Sequence, residues 1–252
     1  MHAPPPPTTL LAYLRMKLRS AALSDIGKVR LQNQDTPLHQ PALGLFGVAD
    51  GVGGLPGGAE AAECAVRTLT QAARAAGVGL DLREAMEAAN TAVARLGTLV
   101  SPETGIGTTV TCGHFRDGRA HLAHVGDSRA YLMRGDKLTQ MTEDHTVENA
   151  ARHGHTSVDY LLQHPQSRNT LTRCVGQPTP LETDTSDHIL AAGDRWLFAT
   201  DGITRLVPDD ALAALLGSNK EPRVILQALV YLALENGGND NATGVLVFVD
   251  EA

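Results

Sequence analysis

The chain has 252 residues, with 21 Lys and Arg against 28 Asp and Glu, a net charge of −7 and 42% hydrophobic residues. A domain of this size buries roughly 70–75% of its unfolded surface, so its core needs neither disulfides nor a structural metal. The acidic balance and the lack of a dense Lys/Arg block exclude a primary nucleic-acid binder, because backbone recognition needs clustered positive charge. Cys64, Cys112 and Cys174 are too scattered for a zinc knuckle or a disulfide framework, which favours a reducing, cytoplasmic setting.

In chain order, residues 1–20 come first, with Pro4 to Pro7 followed by the Leu-, Arg- and Lys-bearing stretch Leu10 to Arg19. They read as an N-terminal extension, either poorly ordered or a docking segment. The basic residues follow the short apolar stretch and no small-residue cleavage site is evident, so the stretch does not read as a convincing secretory signal. Residues 21–252 read as a single domain without linker or repeat. The pattern predicts a strand over Ala42–Ala49, helices over Gly58–Ala76 and Leu82–Gly97, and strands over Thr108–Phe115, Arg119–Val125 and Arg129–Met133. A helix over Val147–His153, strands over Asp187–Ala191 and Arg195–Thr200, helices over Pro208–Leu216 and Pro222–Glu235, and a strand over Thr243–Val249 complete the set. Val224 to Leu234, the longest nearly uncharged helical run, is about half of the ~20 residues a bilayer needs, so no membrane span is expected. Strands that follow one another across tight turns, Asp117-Gly118 and Gly135-Asp136, point to an α+β fold with antiparallel sheets and helices outside.

Three apolar segments share one ending: GLFGVAD at Asp50, HLAHVGD at Asp127 and RWLFATD at Asp201. A single Asp-Gly is an ordinary turn signal, and Asp117-Gly118 in this chain is read as one. The repetition carries the functional signal. If the strands end on one edge of packed sheets, three carboxylates converge, joined by Asp240 ahead of the last strand. Unpaired carboxylates so placed repel, and protons or divalent cations must relieve them. Oxygen ligation without His or Cys suits magnesium or manganese. Two such ions lower the pKa of a water and clamp the oxygens of a phosphoryl displacement, which predicts a metal-dependent hydrolase acting on a phosphate. Arg30 is the candidate phosphate anchor, its planar fork matching two phosphate oxygens. A cysteine nucleophile is disfavoured, since no phosphate-cradling loop follows any of the three. His153 and His155 lack a third ligand at zinc-like spacing and read as loop residues.

In order along the chain stand SDIGKVRLQNQD, VADGVGG, TGIGTTV, HVGDSRAYL, TEDHT, NTLTRCVG, FATDGI and GGNDNATGVLV. This series resembles the metal-dependent type 2C serine/threonine protein phosphatases in their short bacterial form, over roughly Ser24 to Asp250. The resemblance implies a four-layer α-β-β-α sandwich, two antiparallel sheets flanked by helix pairs. By matching position it implies that Asp50 bridges two Mn2+ or Mg2+ ions with the Gly51 carbonyl completing one shell. Asp201 and Asp240 take one core ion each, Asp127 with Asp201 forms a weaker third site, and Arg30 holds the phosphate. Gln34 and Asp35 fall in the layer behind the ligands, Gln34 standing where the family usually has Glu. Val52 stands where animal members place a proposed general-acid His, which leaves the proton donor unnamed. The span from His145 to Arg173 matches the family's flap beside the cleft. The function so implied is hydrolysis of phosphoserine and phosphothreonine on proteins by direct attack of metal-activated water, in a cytoplasmic monomer. Its expected partners are phosphoproteins, a Ser/Thr kinase and its targets among them. The rival reading is a catalytically silent module that binds a phosphoprotein or regulatory partner.

Overall fold

In the computed structural model, residues 16–53 and 56–252 are described. The elements in chain order are β1 (Lys17–Asp25), β2 (Asp35–Gln40), β3 (Leu45–Asp50), α1 (Gly58–Ala76), α2 (Leu82–Val100), β4 (Val110–Arg116), β5 (Arg119–Val125), β6 (Arg129–Arg134) and β7 (Lys137–Gln140). There follow α3 (Val147–Arg152), α4 (Val158–Gln163), β8 (Asp184–Ile189), β9 (Arg195–Ala199), α5 (Asp201–Thr204), α6 (Asp209–Leu216), α7 (Pro222–Glu235) and β10 (Ala242–Glu251). One sheet has the order β1-β10-β9-β6-β7 and the other β2-β3-β4-β5-β8, every named pairing antiparallel.

The sheets stack face to face because their central strands are apolar on both sides. Along β10, Val245, Val247 and Val249 join Phe46, Phe115, Trp196 and Phe198 between the sheets, while Leu246 and Phe248 turn outward to the cluster that includes Leu226 and Leu229 of α7. A period of two with both faces covered is what a continuous run such as VLVFV encodes. Phe115 meets Trp196 edge-on at 5.7 Å and 88°, and Phe46 at 5.5 Å and 83°, the geometry the ring quadrupoles prefer. On the outer face of the second sheet, Leu69 of α1 and Met86 and Val93 of α2 pack over Leu45, Cys112 and Val125. The result is the four-layer sandwich expected.

The limits of β5, α1 and α7 match expectation, and the differences have local causes. Lys17 to Ser20, expected in the N-terminal extension, are strand: Leu18 packs inward, and Arg19 on the other side chelates Asp250 at 2.8 and 2.9 Å and reaches Glu221 at 2.7 Å. The rest of that expectation, residues 1–15, lies outside the described residues. At Pro41–Leu43 the chain makes a 3-10 turn, and β3 starts only after Gly44 (φ 61°), where a Cβ would overlap the Phe115 carbonyl. β2, β7 and β8 are edge strands whose polar faces hide the period; Pro37 is tolerated in β2 because it lies on an edge. Asp117 (φ 49°) and Gly118 (φ 72°) form the left-handed hairpin turn between β4 and β5 that the Asp-Gly pair predicts. Among the described residues no helix is long and apolar enough to cross a membrane.

Candidate active site

Asp50 ends β3, Asp127 lies in the turn between β5 and β6, Asp201 opens α5 directly after β9, and Asp240 precedes β10. All four line one cavity of about 430 Å³, together with Arg30, Gln34, Gly51 and Val52. A larger groove of about 880 Å³, lined by Leu18, Leu43, Arg74, His114 and Arg116 among others, gathers no comparable set of acids. The smaller cavity therefore carries the candidate chemistry.

The backbone around Asp50 is held by the two threonines of TGIGTTV. Thr109 N donates to the Asp50 carbonyl at 2.8 Å, Thr108 Oγ1 donates to the same oxygen at 2.8 Å, and Asp50 N donates to Thr109 Oγ1 at 3.1 Å. Val52 N donates to Gly107 O at 2.9 Å, so Gly51 sits between two fixed points. The loop carrying Arg30 is tied to the opposite sheet by Asn241, whose amide donates to Ile26 O (2.9 Å) and Gln32 O (3.1 Å) and accepts from Gln34 N (2.8 Å). At Gly202 the chain passes so close to Asn241 that a Cβ would overlap its carbonyl oxygen, which brings Asp201 beside Asp240.

Asp35 faces Asp50 in register across β2 and β3. Thr200 Oγ1 donates to Asp35 Oδ2 at 2.8 Å, while the buried Asp35 Oδ1 has no hydrogen-bond partner among the described residues. Burial first, then the charges of Asp201 and Asp240, push the Asp35 carboxyl up to about 7. Asp127 rises to about 7 for the same reason, burial and then Asp201, against the opposing pull of Arg205. Asp50 keeps part of its surface toward the cleft, yet removal from water and the charges of Asp35, Asp201, Asp127 and Asp240 raise it well above the ordinary carboxylate range. Asp201 is raised mainly by burial and by the charge of Asp240, against the opposing pull of Arg205 and Arg30. Carboxyls crowded in this way favour a proton or a cation among them.

Two arginines meet this charge. Arg30 Nη2 donates to Asp240 Oδ2 at 2.7 Å, so the candidate phosphate anchor rests on a candidate ligand. Arg205 Nη2 lies 2.6 Å from Asp127 Oδ2 and its Nη1 2.9 Å from Asp201 Oδ2, bridging the pair. Asn241 and Arg205 are missing from the sequence-based site. A basic residue four positions after Asp201 was the available signal for Arg205, although the sequence pattern predicts no helix there.

The donor set suits a hard divalent ion: oxygen only, mutually repelling, with an orphaned oxygen at Asp35 behind the ligands. Among the described residues no three Asp, Glu, His or Cys side chains close around one point. Gln34 lies with its amide against Gly58 at the start of α1, where an added Cβ would stand 2.9 Å from Nε2. His153 pairs with Glu143 at 3.0 Å and joins no ligand group. Burial pushes the Cys112 thiol up to about 12, which removes it as a nucleophile. In the His145–Arg173 span, Asn169, Thr170 and Leu171 line the cavity, while Arg152 and Arg168 lie against Glu148 and Arg173 against Glu182 and Asp184.

The family model described as "Protein phosphatase 2C" matches residues 15–151, more than half of the chain. The serine/threonine protein phosphatase PstP of Mycobacterium tuberculosis is 34% identical over 245 residues, covering 95% of this chain but 46% of PstP, so the chain spans about half the length of that relative. The serine/threonine phosphatase Stp of Listeria monocytogenes is 31% identical over 238 residues, covering 89% of this chain and 93% of its own length. Among solved structures, the PstP catalytic domain in complex with two manganese ions superposes with a TM-score of 0.75 at 31% identity, covering 93% of this chain and 99% of that one. PppA, described as a key regulatory component of T6SS in Pseudomonas aeruginosa, does so with a TM-score of 0.79 at 31% identity, covering 92% and 97%. Matching model, full-length relative and shared sandwich agree: the chain belongs to the protein phosphatase 2C family.

Proposed function

We propose that this protein is a metal-dependent serine/threonine protein phosphatase. The observation that carries the reading is the meeting of Asp50, Asp127, Asp201 and Asp240 in one cleft, with Asp35 buried behind them and Arg30 at the rim. Asp50, the Gly51 carbonyl, Asp201 and Asp240 are the groups that would hold two core ions, manganese or magnesium. When bound, such ions supply charge neutralisation and an acidified water for phosphoryl transfer. Arg205 spans Asp127 and Asp201, the pair at which a weaker third ion is expected.

The chain's own residues do the rest. Arg30 holds the phosphate once it leaves Asp240; the exchange is cheap because the two side chains are 42% and 31% exposed and their pairing is screened by water. Thr108 and Thr109 keep Asp50 and Gly51 in place through the reaction. Asp35 orients Thr200, next to Asp201, and keeps its other oxygen without a hydrogen-bond partner among the described residues. Substrates are phosphorylated proteins, a Ser/Thr kinase and its targets among them, and the setting is cytoplasmic with the protein acting as a monomer.

The test is manganese-dependent phosphate release from a phosphothreonine peptide, wild type against Asp201→Asn. The expected result is turnover lost on chelation and lowered at least about 100-fold by the substitution. A folded wild type with no turnover under any divalent metal overturns the reading and leaves the silent binding module.

A further inference from the structure

Arg205 follows the last residue of α5 and lies four positions from Asp201. Its backbone is fixed by Arg205 N donating to Asp201 O at 2.9 Å. From there the guanidinium reaches across to the β5–β6 turn, 2.6 Å from Asp127 Oδ2, while its other nitrogen stays 2.9 Å from Asp201 Oδ2. Both carboxylates are nearly buried, with side-chain exposures of 7% and 13%, whereas the arginine is 38% exposed. The neighbouring cation Arg129 is committed elsewhere, chelating Asp144 with contacts of 2.7 and 2.8 Å.

A planar fork that donates to Asp127 in the β5–β6 turn and pairs with Asp201 at the β9–α5 junction does the structural work of a bridging cation. It neutralises the pair and ties the β5–β6 turn to the β9–α5 junction. It differs from a metal in three respects: it is always charged, it is tethered to the chain, and it offers no Lewis acidity. A divalent ion entering between Asp127 and Asp201 must first expel it.

Resting on the phosphatase reading above, we infer that Arg205 is a built-in third cation that closes the Asp127–Asp201 pair to metal, so the centre takes two ions and no more. Arg205 is a positioning residue: it acts by holding Asp127 and Asp201, and it touches neither substrate nor core ion. One consequence is that the outer pair stays assembled at any metal concentration, so loading follows the two core ions alone.

The test is manganese stoichiometry by equilibrium dialysis with elemental analysis, on the full chain, with folding followed by circular dichroism. Wild type binds two ions per chain. Arg205→Gln, which keeps hydrogen bonding but removes the charge, gains a third, weaker ion. Arg205→Lys stays at two, and Arg205→Gln combined with Asp127→Asn returns to two. Three ions on the wild type, or two on a folded Arg205→Gln, overturn the inference and leave the phosphatase reading intact. No ion on the wild type removes both. Should Arg205→Gln not fold, anomalous scattering from manganese-soaked wild-type crystals decides: two peaks uphold the inference, and a third between Asp127 and Asp201 ends it.

Discussion

Replacing Asp35 by Asn separates the two states that the acid cluster must serve. Asp35 is nearly buried, donated to by Thr200 Oγ1 at Oδ2 and unpartnered at Oδ1, and its carboxyl is pushed from 3.8 to about 7. A carboxyl raised on folding means that the native state binds more protons than the unfolded one. Its contribution is intact below about pH 4 and is lost as pH climbs to 7. Each pH unit in that window costs about 1.4 kcal/mol, so at pH 8 the metal-free native state has lost roughly 4 kcal/mol at this side chain. Asn cannot ionise and escapes that loss. It keeps a carbonyl for Thr200 but buries an unpartnered NH2 where Oδ1 stood, which costs about 1–2 kcal/mol. In EDTA, Asp35→Asn is therefore close to neutral at pH 5 and stabilising by about 2–3 kcal/mol at pH 8. With manganese the sign reverses, because cations reward the negative charge that the metal-free fold resists. Urea denaturation of both proteins at the two pH values, with EDTA and then with manganese, measures all four differences. Wild-type stability in EDTA that is level or rises from pH 5 to 8, or an Asn variant equally destabilised at both, refutes the reasoning.

Two further outcomes are expected. Gly202→Ala places a Cβ on the Asn241 carbonyl oxygen, a backbone atom that cannot swing aside. The substitution should destabilise by about 1–3 kcal/mol or more and part Asp201 from Asp240, read as a lower urea midpoint together with weaker manganese binding; an unchanged midpoint contradicts the close approach. Gln34→Glu restores a negative charge beside the centre, at the N-terminal end of α1 where the helix dipole favours it. Calorimetry should show one manganese ion binding several-fold tighter, and equal affinity contradicts this reasoning.

Legibility in the sequence followed burial. The strands covered on both faces, and the helices α1 and α7 with an apolar stripe against a sheet, announce themselves by composition and period, since nothing competes with packing there. The edges do not. β1, β2 and β7 each have a solvent-facing side, so their residues look like loop until a partner strand such as β10 or β3 fixes the register. β1 was hidden further by the proline run before it, which drew residues 17–20 into the extension. The acids of the site were legible because each ends or begins a recognisable strand, where topology leaves few places to go. Their partners were not. Arg30 meets Asp240 across 210 residues and Arg205 meets Asp127 across 78, and charge alone does not say which acid an arginine will find. Those pairings are set by where strand ends and loops come to rest. They also bear on the chemistry: Asp240 is held by an arginine at the rim that can leave, and Asp127 by one anchored through its own helix to Asp201. Two similar ion pairs on one acidic cleft thus differ in reversibility, the first suited to exchange with a phosphate and the second to permanence.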